Sequence, residues 1–180
     1  ITSIRITAMK LVLGSTSPYR RTLLERLDIS FECDTPETDE TVLPDEPVAD
    51  TVRRLAEAKA RAVADRHPDS LIIGSDQSAE LDGERLSKPG GFDNAFRQLS
   101  RASGKKVTFQ TGLCLLNTAT DTAQTAVVPY TVVFRELNDA MITDYLKREE
   151  PYNCAGSFRS EGLGITLFER FEGEDPNALI

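Results

Sequence analysis

Residues 71–80, LIIGSDQSAE, decide the fold. The run Leu71-Ile72-Ile73-Gly74-Ser75 is short, apolar and closed by small residues, the pattern of a strand buried in an α/β sheet. The pattern predicts that this strand ends at Ser75. Asp76 and Gln77 then stand at its exit. A tight turn explains a carboxylate and an amide there, and so does a reactive site; the stretch alone leaves both open.

Residues 10–14, KLVLG, repeat the theme as a second short buried strand that runs out into Ser15. Ser17 and Pro18 then make a helix start, with Ser17 as cap and Pro18 at the first helical position. The helix over 18–27 places Leu23, Leu24 and Leu27 on one face. A strand at 29–33 leads into an acidic loop, DTPETDETVLPDEP. A helix over 47–66 carries Val52, Leu55, Ala56, Lys59 and Val63 and stops before Pro68. Beyond the opening stretch, residues 79–87 read as a hairpin turning at Asp82-Gly83. A helix over 92–104 follows, then strands at 106–116 and 124–135, a helix from Asn138 or Asp139 to about Lys147, and a Gly-rich tail that becomes strand-like at 165–171. Strands and helices mix from the start, so the class is α/β. Ligands of open α/β sheets sit outside the carboxyl ends of the strands, which makes the two Ser-bearing exits candidate walls of one cleft.

The 180 residues suffice for one domain with a real core, and 39% hydrophobic against 28% charged content reads as a globular chain. A net charge of −8 argues against coating a nucleic-acid polymer, yet leaves room for a local polyphosphate pocket. Cys33, Cys114 and Cys154 are far apart with no C-x-x-C pair, so they read as unpaired thiols. One histidine, His67, reads as a surface residue and cannot build a His-based triad. No apolar stretch reaches the roughly 20 residues that cross a bilayer, and the first residues lack a secretory h-region. A cytoplasmic location is expected. Residues 1–8 read as a non-native or upstream extension before Met9, with 9–180 as a single domain.

Three stretches carry candidate chemistry. GSTSPYRR, residues 14–21, joins small hydroxyl residues to a helix N-terminus with Arg20 and Arg21 one turn in. Such an end attracts phosphate, although a capped helix with surface arginines has the same pattern. It lacks the spacing of a P-loop. Asp76, with Lys88 across the expected hairpin, suits a general base and a phosphate-neutralising cation. Glu37, Asp39 and Glu40 suit a hard divalent cation, or equally a solvated loop.

In this order, STSPYRR, ETDET, LAEAKA, GSDQ, LSKP and AGSFRSEGLG resemble the Maf family of nucleoside triphosphate pyrophosphatases over nearly the whole chain. Gln77 after the acid, an aromatic before the arginine pair, and SFRSEG resemble the 7-methyl-GTP subgroup; the dTTP/UTP subgroup typically has Thr after the acid. The resemblance implies a mixed twisted sheet flanked by helices, with two lobes around a central cleft. It implies hydrolysis of an α–β phosphoanhydride with a divalent cation (magnesium, manganese or cobalt). It assigns Asp76 as proton acceptor, with Ser15, Arg20, Glu40, Lys59 and Lys88 as polar and charged site positions, Glu40 toward the metal. Substrate selection falls on Tyr19, Gln77 and Glu161. Tyr19 stands where the subgroup often has Trp, which keeps the aromatic face. The expected partner is a small nucleotide rather than a nucleic acid or a membrane, and homodimers are common in the family. The chain stops at DPNALI where relatives continue into a terminal helix. A dTTP/UTP pyrophosphatase, or a nucleotide-binding regulator of septum formation with little turnover, are the alternative readings.

Overall fold

A computed structural model describes residues 9–180. The expected extension at 1–8 lies outside the described residues. The elements in chain order are β1 (Lys10–Gly14), α1 (Pro18–Glu25), β2 (Glu32–Asp34), α2 (Val48–Ala62), β3 (Ser70–Leu81), β4 (Glu84–Leu86), α3 (Phe92–Ala102), β5 (Lys106–Asn117), β6 (Thr122–Phe134), α4 (Asp139–Glu149) and β7 (Phe168–Glu172). The seven strands form a mixed sheet in the order β2-β1-β3-β5-β6-β7, with β4 added to β3, so the α/β expectation holds. The chain divides into two compact units. One holds residues through Glu46, Arg53–Asp76 and Gly112–Ala126; the other holds Pro47–Val52, Gln77–Thr111 and Val127–Ile180.

In the first unit β1 lies parallel to both β2 and β3, with Lys10 opposite Ser70 and Gly14 opposite Gly74. The core here is small: Val12, Ala56, Ala60, Val63, Ile72, Cys114 and Leu116. Helix α2 lies so close to β3 that a Cβ on Gly74 would stand 2.1 Å from the Ala56 carbonyl oxygen and 2.7 Å from the Ala60 nitrogen. Alanines on the helix and a glycine on the strand together permit this approach. Burial of Cys114 pushes its thiol up to about 11, and all three cysteines are free, as the spacing indicates.

Two expectations fail in this unit. Helix α1 stops at Glu25 and buries none of its residues; Leu27, expected on its apolar face, is 64% exposed. The helix is anchored by a polar contact of Arg20 instead, described below. His67 is not a surface residue: its side chain is 10% exposed and its Nε2 lies 2.8 Å from Asp34 Oδ2. Arg66 donates to the same oxygen at 2.8 Å and to the Thr35 carbonyl at 2.9 Å. These two residues, reached through the turn after α2, pin the end of β2 where the acidic loop begins. The hydrogen bond from Arg66, and after it that from His67, holds the Asp34 carboxyl well below the usual carboxylate range. A depressed folded-state pKa stabilises above the unfolded value of about 4, and the contribution disappears as pH falls through the folded value. Asp34→Asn is therefore expected to lower the melting temperature at pH 7, with the gap to the wild type narrowing as pH is taken from about 5 to 2.

The second unit has the larger core. Leu81, Leu99, Val107, Val132, Ile142 and Leu146 are buried, with Phe109, Phe134, Phe158 and Phe168 among them. The last three rings meet edge-to-face at centroid distances of 4.7 to 5.7 Å. The predicted hairpin forms: Asp82 and Gly83 both have positive φ, at 53° and 81°, as a two-residue type I′ turn requires. Leu81 pairs with Glu84 and Ala79 with Leu86. Strand β3, however, does not end at Ser75. It runs unbroken to Leu81, so Asp76 and Gln77 lie inside a strand of 12 residues. Its register with β1 ends at Gly74, and pairing with β4 begins at Ala79. The polar pair fills the stretch between those two partners, which is why it resembles an exit in the sequence.

Candidate active site

The first unit carries six of the site residues named above: Ser15, Tyr19, Arg20, Glu40, Lys59 and Asp76. At the end of β1 the backbone turns, with the Ser15 nitrogen donating to the Leu13 carbonyl. Ser15 Oγ accepts from the Ser17 nitrogen at 3.1 Å, and Ser17 Oγ accepts from the Arg20 nitrogen at 3.4 Å, so the predicted cap is in place. One turn into α1, Arg20 sends Nη1 to the Ser75 carbonyl at 2.8 Å. This contact joins the two Gly-Ser stretches. It also separates the arginines: Arg20 turns to β3, while Arg21 pairs with Glu25 on the exposed face.

Lys59 stands on α2 one turn beyond Ala56, the residue seated on Gly74, and is 8% exposed. Its Nζ donates to Asp76 Oδ1 at 2.7 Å and meets Glu40 Oε1 at 2.8 Å. Asp76 is 7% exposed, whereas the Glu40 side chain is 60% exposed. Burying two such charges is tolerable because each is the other's hydrogen-bond partner. Asp76 Oδ2 has no hydrogen-bond partner among the described residues. Burial lowers the Arg20 pKa, against the attraction of Asp76 and then Glu40, so these carboxylates also favour the charged guanidinium. Two cations thus face two carboxylates, and the cluster is charge-balanced rather than basic.

The acidic loop that carries Glu40 is held by a residue the motif reading passed over. Arg54 forks onto Glu46 with Nε and Nη2, both at 2.7 Å, and donates to the Thr41 carbonyl at 3.1 Å. Asp39 accepts from the Thr41 nitrogen and hydroxyl. The loop is therefore a built turn, with Asp39 spent on its own backbone. The doublet Arg53-Arg54 ahead of LAEAKA was the available signal, since an arginine facing an acidic loop from a helix suits bidentate pairing.

The second unit carries Gln77, Lys88 and Glu161. Lys88 is exposed and has no ion partner among the described residues. Its segment is fixed by α3: Gln98 donates to the Ser87 carbonyl and Asn94 to the Pro89 carbonyl, each at 2.9 Å. Gln98 also accepts from Ser157 at 2.5 Å. Glu161 is exposed and accepts from the Ser160 hydroxyl at 3.0 Å. Burial pushes the Cys154 thiol up; the charges of Glu161 and Glu149 add to the rise, and those of Arg159 and Lys88 oppose it. Gln77 is half-buried against Thr111 and the Ala178 carbonyl. Tyr19, in the first unit, is 39% exposed. Arg85 was another residue missed by sequence; it bridges Ser78 and Thr51 at 3.0 and 2.9 Å.

Against known families, a model described as Maf-like protein matches residues 10–180. The chain belongs to the Maf-like family. Members of this family are in general nucleoside triphosphate pyrophosphatases that use a divalent cation, and a small nucleotide substrate fits that family. No helix among the described residues is long and apolar enough to cross a membrane. No group of three or more His, Cys, Asp or Glu side chains among the described residues is arranged to hold a metal ion. Glu40 and Asp76 nevertheless converge on one ammonium. In this Maf-like chain, two carboxylates with the remaining coordination left to phosphate and water fit a hard cation such as magnesium.

Proposed function

We propose that the chain hydrolyses the α–β phosphoanhydride of 7-methyl-GTP, giving 7-methyl-GMP and pyrophosphate. The observation that carries this reading is the buried Asp76 carboxylate, one oxygen of which is fixed by Lys59 while the other has no protein partner among the described residues. A carboxylate held on a sheet strand in this way is a preorganised proton acceptor. Water attacks the α-phosphorus, Asp76 takes its proton, and the α–β bridge oxygen leaves with pyrophosphate. Arg20, Lys59 and Lys88 supply positive charge to the phosphates, and Ser15 supplies a hydroxyl beside the α1 N-terminus. Glu40 would help hold a divalent cation, which when bound neutralises phosphate charge and acidifies water.

Selectivity rests on Tyr19, Gln77 and Glu161. The 7-methylguanine base is cationic, which suits the exposed face of Tyr19. Its N1–H and exocyclic amine are adjacent donors, which suit a carboxylate such as Glu161. A base that lacks this donor pair leaves the carboxylate unpaired, so discrimination arises from a penalty. A pyrophosphate-release assay with 7-methyl-GTP, GTP, dTTP and UTP, with magnesium and with chelator, tests the reading. Preference for 7-methyl-GTP is the expected result. Equal rates on 7-methyl-GTP and UTP would replace it with a broad or dTTP/UTP-type enzyme, and absence of turnover on all four would leave a binding protein.

A further inference from the structure

Gln77 is an amide, and an amide can present either a donor or an acceptor. Its surroundings in the second unit remove that freedom. Gln77 Nε2 lies 3.0 Å from the Ala178 carbonyl oxygen and 3.0 Å from Thr111 Oγ1. Thr111 Oγ1 in turn lies 2.7 Å from the same carbonyl. A backbone carbonyl only accepts, so the atom of Gln77 that faces it must be the NH2 group. The single Thr111 proton also goes to that carbonyl, so the hydroxyl faces the amide with a lone pair and accepts from the same NH2 group. Turning the amide over would set oxygen against oxygen at Ala178 and leave a donor unpaired.

The NH2 group of Gln77 is thus turned to the protein, and Oε1 has no hydrogen-bond partner among the described residues. The carbonyl that imposes this order is itself fixed. It belongs to the turn Pro176–Leu179, which is capped by Asp175 and buries Ala178 and Leu179 in the second unit's core.

We infer that Thr111 and the Ala178 carbonyl are positioning groups that lock Gln77 as a hydrogen-bond acceptor, so that the base it reads must offer it an N–H. This rests on the assignment of Gln77 to base selection made above and narrows it. Of the groups on a 7-methylguanine edge, the exocyclic amine is the donor left with a spare hydrogen once a carboxylate has taken N1–H and one amine hydrogen.

The test compares 7-methyl-GTP with 7-methyl-ITP, which lacks that amine, on the wild type and on Thr111→Val, Thr111→Ser and Gln77→Met. The wild type is expected to favour 7-methyl-GTP. Thr111→Val is expected to shrink that preference roughly five- to tenfold through KM, with kcat on 7-methyl-GTP little changed, and Thr111→Ser to restore it. A purely structural role for Thr111 would lower both substrates in parallel and leave their ratio intact, which overturns the inference. So would a ratio lost in Gln77→Met but untouched in Thr111→Val.

A second readout does not need turnover. In 15N-labelled protein at least one side-chain amide proton of Gln77 is expected to exchange slowly, with protection reduced on Thr111→Val. Fast exchange of both in the wild type refutes the locked orientation. Slow exchange without turnover of either nucleotide would keep the orientation and defeat the pyrophosphatase reading.

Discussion

Replacing Asp76 by asparagine is expected to lower kcat for 7-methyl-GTP hydrolysis by about 10³-fold while KM stays within about threefold. Asparagine has nearly the shape of aspartate and keeps an oxygen that can accept from Lys59. What it loses is the capacity to take a proton from water. The phosphates would still meet Arg20 and Lys59, so nucleotide binding should persist. Lys59 also keeps its second partner, Glu40 at 2.8 Å, which limits how far the ammonium can swing once Asp76 is neutral. The measurement is steady-state pyrophosphate release together with binding of 7-methyl-GMP, on protein whose melting curve matches the wild type. Full activity in this variant would remove Asp76 as the base. A loss carried mainly by KM would recast it as a binding residue.

Much of this arrangement is readable from local pattern, because its parts are local devices. The cap at Ser17-Pro18, the Asp82-Gly83 turn and the two short apolar runs each have a physical cause within a few residues, and all appear where expected. The motif that named Lys59 and Asp76 also pointed to side chains that meet. What could not be read depends on partners far along the chain. Nothing near LIIGSD announces that the strand continues past Asp76, because its new partner β4 is supplied by the hairpin that the strand itself feeds. His67 looks solvated in sequence, and only Asp34, 33 residues earlier, makes its burial tolerable. Gln77 gains its orientation from Thr111 and Ala178, 34 and 101 residues away. A leucine stripe on α1 suggested a buried face, but the helix is too short to present it, and a polar contact anchors the element.

The opening stretch hides one further dependence, at Gly74, where the largest effect on stability is expected. Gly74→Ala should destabilise the protein by about 3 kcal/mol or more, because the new methyl group meets backbone rather than a yielding side chain. The Ala56 carbonyl oxygen would be 2.1 Å away and the Ala60 nitrogen 2.7 Å. Neither can rotate aside, so α2 must shift away from β3 as a body. Ala56 and Ala60, fully buried in the small core of this unit, would lose their contacts with it. Lys59 lies between these alanines on the same helix, and its 2.7 Å bond to Asp76 would lengthen with the shift. The variant should therefore lose activity in the fraction that remains folded, without any change to a group that touches substrate. Gly91→Ala is the matched control: a Cβ there meets nothing within 4 Å, and its φ of −177° suits any residue. It should cost no more than about 1 kcal/mol, as an exchange at a helix N-cap does. Chemical denaturation of both variants, with kcat measured on each, separates the two. If Gly74→Ala melted like the wild type, the close approach of α2 to β3 would be wrong, and with it the placement of Lys59 against Asp76.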